Sequence, residues 1–548
     1  MRYFQILLIV VFAIAGCKKS PTDSEMKNSK PQAFLWIFPN NPDSLALGIS
    51  KQHIHWWGED KDGYVVGFLV GIGKSETSVE WIFKIRNDSV ISFPLLTVQD
   101  TFLVFVKAID NHFREKINDG TNIALAASHP FIDYENDGVF NNNDRTLPTL
   151  QNALGATAKQ KFPIKNTPPT VKFEINSSNV TVQPSETSFT VVTFAWRGND
   201  NDGDNTITKY EIALNDTATN NWVSIDSTVN MITLFVPRAV SDIATGSVTA
   251  DVMKGTYGNT RKIGEAHGLR LNDTNRIFLR VKDIAEDYSP IVSLPDSGFL
   301  WYVKKPKSKL LVIEDYVASS GPNSPDSVLL FYKNIFSQLA DSIGDSVRVF
   351  DFLSLRRNDG AFIPFHLDPA LILTLQQFNF VFWYAGQEPS WSVASNPLFQ
   401  YAVDPATNGK VLFSTAFQFS IADPRGSIVS FAPIEAVSLS DDSTATRAYA
   451  DTTVSNISTI LNFPPLQFKQ NPSIHSLFFY RNLYPRSTAT PIYKIDSIVS
   501  KTHRKFSPTV GVIDANNRFV FMGVPLHLLN GNGNLPSFFN TVFGNIFK

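Results

Sequence analysis

The chain of 548 residues holds one cysteine, Cys17. No disulfide and no cysteine-cluster metal site is therefore available within it. Charge of either sign is not in excess. Lys plus Arg number 48 against 50 Asp plus Glu, a formal net charge of −2. That balance gives no electrostatic footprint for nucleic acid, and there is no acidic tail. Long apolar runs are missing too. Beyond the first residues, no stretch approaches the roughly 20 apolar residues that a membrane-spanning helix needs. What remains is 43% hydrophobic and 18% charged, ordinary for globular domains with real cores. The length implies about three to four of them.

The amino-terminal segment is of a different kind. Arg2 precedes an uncharged stretch from Ile6 to Ile14, then Ala15, Gly16 and Cys17. A charged start, an apolar middle and small residues before a cleavage point make the layout of a secretory signal. Ile14-Ala15-Gly16-Cys17 resembles the lipobox of bacterial lipoproteins. That resemblance implies a signal peptide over 1–16 and a mature chain starting at a lipidated, palmitate-bearing Cys17, which rules out thiol catalysis. Acyl chains anchor by burying methylenes at about 0.8 kcal/mol each, and Lys18 and Lys19 suit an anionic headgroup surface. Residues 17–31 are polar and read as a lipidated tether. Lys18, where an aspartate would resemble inner-membrane retention, favours the outer membrane, on its periplasmic face or at the cell surface.

Two segments then repeat one pattern. Trp56-Trp57-Gly58-Glu59-Asp60-Lys61-Asp62-Gly63 precedes Val65-Val66-Gly67-Phe68. Trp196-Arg197-Gly198-Asn199-Asp200-Asn201-Asp202-Gly203 precedes Ile207-Thr208-Lys209-Tyr210. Each copy has a later similar strand, Phe105–Asp110 and Leu279–Ile284. Self-similarity at this scale means two copies of one domain, and alternating runs bounded by turn residues mean β-sandwiches. An early-strand tryptophan is the expected core anchor. Asn166-Thr167-Pro168-Pro169 punctuates the boundary. The expected domains are 32–165 and 166–305, with an insertion near Ala239–Gly268 read as a loop or small helix. These segments resemble the fibronectin type III or immunoglobulin-like domains of bacterial envelope proteins.

From 306 to 548 the pattern changes. Leu310–Ile313, Val347–Phe350, Phe380–Tyr384, Lys410–Ser414 and Phe519–Val524 read as strands. Ser327–Leu339 and Leu535–Phe547 carry helical spacing. Apolar strands alternating with helices predict an α/β domain with a mainly parallel sheet. The region resembles the class I glutamine amidotransferase-like fold, a flavodoxin-like architecture, through strand order and Gly523-Val524-Pro525-Leu526-His527. His527 matches that family's histidine, but Pro525 stands where it has glutamine and Leu529 where it has the orienting glutamate. Ser414-Thr415-Ala416 occupies the place of its cysteine elbow. The resemblance therefore implies a degenerate domain without amidotransferase chemistry, which needs a thiolate.

Ser414 and His527 are the only candidates for catalysis, as a serine–base pair without the Gly-x-Ser-x-Gly elbow. Open α/β sheets bind ligands at the carboxyl ends of their strands. The residues predicted to line that place are Glu314, Asp315, Tyr384, Gln387, Glu388, Trp391 and His527, with the aromatic rings suited to a sugar or serving only as core caps.

One loop fits a calcium site. Asp133, Glu135 and Asp137 fall at positions one, three and five, Gly138 at six, the Val139 carbonyl at seven and Asp144 at twelve. Oxygen ligands at those positions, with glycine for the sharp turn, are what wrapping a hard cation requires; the loop resembles the dockerin type. The expected cofactor is a structural Ca2+. Asp200, Asp202 and Asp204 also alternate, with Glu211 at the twelfth place, but Glu211 would point outward from a strand. These read as hairpin turns first and an ion site second.

The combined expectation is a non-catalytic envelope lipoprotein that binds, adheres or scaffolds. Its partners would be the membrane, through the anchor, and a glycan or envelope protein. The competing class is an envelope hydrolase acting on a glycan or ester through the C-terminal domain.

Overall fold

The computed structural model describes residues 28–36, 51–93, 99–125, 129–175, 181–255, 260–316, 324–355, 369–386, 391–403, 408–416, 432–438, 447–469, 476–478, 481–496, 498–499 and 505–547. Cys17, the signal segment and most of the tether lie outside that set. No helix among the described residues is long and apolar enough to cross a membrane. The chain forms two units, one of 1–170 with 198–208 and 281–289, the other of 171–197, 209–280 and 290–548.

The first unit is built on two antiparallel sheets. Three strands, Gln32–Trp36, Lys51–Glu59 and Asp88–Ser92, make the smaller one. The larger has seven, in the order Ala158–Lys165, Gln99–Asp110, Val65–Gly73, Trp81–Lys84, Asn122–Ala124, Phe131–Ile132 and Arg145–Thr146. The inner faces meet in one core, where Ile54 and Trp56 pack with Phe68, Val70, Val104 and Val106. Strand alternation decides which tryptophan anchors: Trp56 is buried, while the adjacent Trp57 is 42% exposed. The opposite face of the large sheet is covered as well. Leu69, Trp81, Phe105 and Ile109 pack against Ile123, Ile132, Leu147 and Leu150. Burial on both faces explains why Leu103-Val104-Phe105-Val106 reads as a continuous apolar run.

In the second unit, Val191–Asn199, Met231–Phe235, Ser247–Lys254 and Arg261–Arg270 pair antiparallel in sequence, with Thr170–Phe173 at the far edge. Trp196 is buried and meets Tyr210 edge-on at 5.6 Å. The expected insertion near Ala239–Gly268 is mainly a β-hairpin. After the short helix Arg238–Ile243, it extends this sheet and turns Ala250, Val252 and Ala266 inward. Inward residues as small as Ala250 and Ala266 give the alternation little hydrophobic contrast.

The largest sheet has nine strands. Asp351–Ser354, Leu310–Asp315, Phe380–Ala385, Lys410–Ser414 and Phe519–Met522 run parallel. Thr509–Ile513, Thr490–Ile495, Thr453–Asn456 and Leu466–Gln467 continue it antiparallel. Half of the pairings are thus antiparallel, which corrects the expectation of a mainly parallel sheet. Three of the four added strands start with threonine, and Pro491 falls within Thr490–Ile495, so their apolar pattern is weak.

Side chains alternate between two cores. Leu310, Val312, Phe382 and Leu412 face the helix Pro325–Ser337 and the closing helix from Leu535. Leu311, Ile313, Val381, Trp383 and Phe413 face the helices Pro369–Leu375 and Trp391–Val403. The helix at 325 starts where its residues dictate, with Pro325 in the first turn and the Ser324 hydroxyl accepting from the Ser327 amide at 3.2 Å. The predicted strand Val347–Phe350 is displaced. Val347 lies in the short helix Asp345–Arg348 that follows Gly344, and the strand is Asp351–Ser354.

Candidate functional site

Because the five strands run parallel, Glu314, Asp315, Tyr384 and Ser414 end on one side of the sheet. His527 follows on the turn Leu526–Leu528 after the last parallel strand. All are buried, and the first four are hydrogen-bonded to side chains or to the backbone. The Tyr384 hydroxyl donates to Glu314 Oε1 at 3.2 Å, and Trp383 Nε1 donates to Asp315 Oδ2 at 3.2 Å. The Ser414 hydroxyl donates to the Val524 carbonyl at 3.2 Å and accepts from the Leu526 amide at 2.9 Å. It serves as a backbone staple between two strand ends.

His527 is only 6% exposed and neither ring nitrogen has a hydrogen-bond partner. Its ring stands edge-on to Tyr316 at 5.3 Å and to Tyr332 at 6.2 Å. Tyr332 spends its hydroxyl on accepting the His527 main-chain amide at 3.1 Å. Burial pushes the imidazole down to about 3, so it is neutral at any working pH. Ser414 and His527 lie on neighbouring strand ends, yet no hydrogen bond joins them. Leu529 is buried and offers no carboxylate. Of the other predicted lining residues, Gln387 and Glu388 fall outside the described set. Trp391 opens the helix Trp391–Val403, and its side chain is likewise outside that set.

The loop 133–144 joins the paired strands Phe131–Ile132 and Arg145–Thr146, so it is a hairpin loop. Asp133 Oδ1 accepts from the Glu135 and Asp137 amides, and its Oδ2 from the Gly138 amide at 2.8 Å. Asp144 accepts from the amides of Tyr134 at 3.3 Å and Asn141 at 2.8 Å. Gly138 takes φ +69°, the left-handed conformation the sharp turn asks for. Asp133, Glu135, Asp137, Val139 and Asp144 are thereby gathered in one loop.

The repeated Asp-x-Asp-Gly turns have partners far away in sequence. In the first copy the Ser29 amide donates to Asp62 Oδ2 at 2.9 Å, and Asn28 Nδ2 donates to Asp110 Oδ2 at 2.7 Å. In the second, the Thr167 amide donates to Asp202 Oδ2 at 2.7 Å, and Asn166 Nδ2 donates to Asp283 Oδ2 at 2.6 Å. A Cβ on Gly63 would meet the side-chain oxygens of Asn111 and Asp60, so a larger residue there would displace both groups. Sequence reasoning had Asp60, Asp62, Asp200 and Asp202 but missed Asn28, Asn166, Asp110 and Asp283. The available signal was the parallel between Asn28-Ser29-Lys30-Pro31 and Asn166-Thr167-Pro168-Pro169. Glu211 is not part of this group. It is buried between Lys209 Nζ and Arg280 Nη2, each at 2.6 Å.

A further cluster was also missed. His53 and His55 share one face of a strand, and Asp88 is the cross-strand partner of His55. One ligand atom from each lies within 4.8 Å of the others. His53 Nε2 is 2.9 Å from Asp88 Oδ2, and that contact holds the Asp88 carboxyl below its ordinary range. Two imidazoles and a carboxylate suit a borderline cation such as zinc. The His-x-His spacing on a strand was the signal.

No family model matches this chain, and no curated protein matches it. Among solved structures it is similar to the fibronectin(III)-like modules of Clostridium thermocellum CbhA, at 10% identity and TM-score 0.15, over 50% of this chain and 94% of that one. It is similar also to chicken CNTN1 domains FN1–FN3, at 10% identity and TM-score 0.14, over 49% and 98%. A Salmonella alpha-2-macroglobulin mutant matches at 11% identity and TM-score 0.10, over 50% and 23%. Likenesses this slight carry no functional argument, and the sheets above rest on their own strand pairing.

Proposed function

We propose that this chain is a non-catalytic lipoprotein of the cell envelope, anchored through Cys17 and working by binding or scaffolding. The β-sandwich modules carry the recognition surface, and the C-terminal α/β layer is a degenerate scaffold. The observation that carries the non-catalytic reading is the state of the strand-end groups. Ser414 is committed to backbone partners on both its donor and acceptor sides. His527 is buried, unpartnered and neutral. A nucleophile without a hydrogen-bonded base lacks the geometry that hydroxyl activation requires.

The parallel strands follow the spatial order second, first, third, fourth, fifth, the order of flavodoxin-like sheets. This favours descent of the domain from that architecture, with its chemistry lost. The loop 133–144 is read as a structural calcium loop, and Lys18 directly after the lipidated cysteine as the reason for an outer-membrane address. Two measurements test the reading. Metabolic palmitate labelling is expected in the wild type and absent in Cys17→Ser. Ester and glycoside hydrolysis by the purified protein is expected to equal that of Ser414→Ala. An unlabelled, soluble product refutes the anchor, and hydrolysis abolished by Ser414→Ala refutes the non-catalytic role.

A further inference from the structure

Two corners of the first unit repeat one arrangement of oxygen atoms. Each joins three pieces of chain: an Asn-Ser or Asn-Thr pair entering the module, an Asp-x-Asp-Gly turn, and an aspartate at the end of a later strand. In the first corner the Asn28 amide reaches Asp110, the Ser29 amide reaches Asp62, and Asp60 lies in the same turn. In the second the Asn166 amide reaches Asp283, the Thr167 amide reaches Asp202, and Asp200 takes the place of Asp60. Asp110 and Asp283 are fully buried. Asp287 adds a further carboxylate to the second corner, 2.9 Å from Asn166 Nδ2.

Both corners leave acceptors without donors. Asn166 is 4% exposed, its Nδ2 lies between the carboxylates of Asp283 and Asp287, and its Oδ1 is buried with no partner. Asn28 Oδ1 is orphaned in the same way. Asp60 has both carboxylate oxygens buried without a hydrogen-bond partner. A buried amide oxygen without a donor, on an asparagine whose nitrogen is bonded to carboxylate, recurs in both corners and is unfavourable unless something positive joins the oxygens. Hydrogen bonds from turn amides account for part of each corner, but they leave these orphaned oxygens unexplained.

We propose that each corner is a calcium site, formed by Asn28, Asp60, Asp62 and Asp110 in one copy and by Asn166, Asp200, Asp202 and Asp283 in the other. The donor set decides the cation. All side-chain ligands are oxygen, from carboxylates and an amide carbonyl, which suits Ca2+ with its six to eight flexible ligands. Zinc would choose the imidazoles of His53 and His55 instead. The bound ion would pin the entering segment to the turn and to the strand end. These two sites are separate from the loop 133–144 and go beyond the proposed binding role.

The test is calcium titration calorimetry on the full-length protein in detergent after chelation. The variants are Asp60→Asn/Asp110→Asn, Asp200→Asn/Asp283→Asn and Asp133→Asn/Asp144→Asn. Each of the first two pairs is expected to remove one calcium from the stoichiometry, whereas the third pair leaves those two ions in place. The single variant Asp60→Asn gives a second readout that does not rely on the double variants folding. It is expected to raise the melting temperature in EGTA, by relieving repulsion, and to lower it in calcium, by removing a ligand. A hairpin residue with no ion would not reverse sign. Calcium stoichiometry unchanged in folded double variants, or an Asp60→Asn effect of the same sign in both buffers, overturns the proposal.

Discussion

Replacing His527 by leucine should change the pH dependence of stability more than stability itself. The imidazole is fully enclosed and held down to about 3 by burial, against about 6.5 in an unfolded chain. Between those values the unfolded state binds the extra proton. Stability from this group is therefore complete above about pH 6.5 and is lost as the pH falls. From pH 8 to pH 5 the loss works out at about 2 kcal/mol, since each pH unit below 6.5 costs about 1.36 kcal/mol. The figure is insensitive to the folded value as long as that lies well below 5.

At pH 8 His527→Leu relieves two buried nitrogens without partners, worth about 1–3 kcal/mol. It also forfeits edge-on contacts with Tyr316 and Tyr332, worth roughly 0.5–1.5 kcal/mol each. The two nearly cancel. Urea titrations of wild type and variant at pH 8 and pH 5 should show near-equal midpoints at the first pH. At the second the variant should lead by about 2 kcal/mol. A difference between the two proteins that stays constant from pH 8 to pH 5 would refute the buried, neutral assignment and restore His527 as a candidate base.

Two other perturbations probe the second unit. Lys304 is brought down to about 8, chiefly by burial, and its Nζ sits 4.2 Å from the centre of the Phe189 ring. The unfolded chain then holds more protons between about pH 8 and 10.4, so wild-type stability should rise by roughly 2–3 kcal/mol across that window. Lys304→Met should be flat there by the same denaturant assay. Phe189 is buried against Phe378 at 5.2 Å and belongs to the core behind the nine-stranded sheet. Phe189→Ala should cost about 3–5 kcal/mol and lower the melting temperature of the whole unit. An unshifted transition would mean that this contact contributes nothing.

The legible features were those written locally. The early-strand tryptophans, the helical spacing after Ser327 and the alternating apolar runs each state their outcome within a few residues, because backbone periodicity is a short-range effect. Less was legible where tertiary context overrode a faint pattern. The hairpin Ser247–Arg270 hides small inward residues among threonine and serine. The antiparallel extension through Thr490–Ile495 carries a proline and a polar start. The strand-end groups Glu314, Asp315 and Tyr384 were identified from sheet logic, and Ser414 and His527 from the amidotransferase-like resemblance, but their bonding was not. Nothing in local spacing tells that Asp60 shares a corner with Asn28 and Asp110. Only the strand register brings such distant residues together, and only a comparison of the two copies would have found them.

Whether the strand-end serine is a reactive group can be read directly. Incubating the full-length protein with a fluorophosphonate probe, followed by peptide mapping, reports any hydroxyl activated by a neighbouring base. The account predicts no adduct at Ser414 between pH 5 and pH 8, since its hydroxyl is bonded to Val524 and Leu526 and neither His527 ring nitrogen hydrogen-bonds it. A stoichiometric adduct at Ser414 that vanishes in His527→Leu would contradict it.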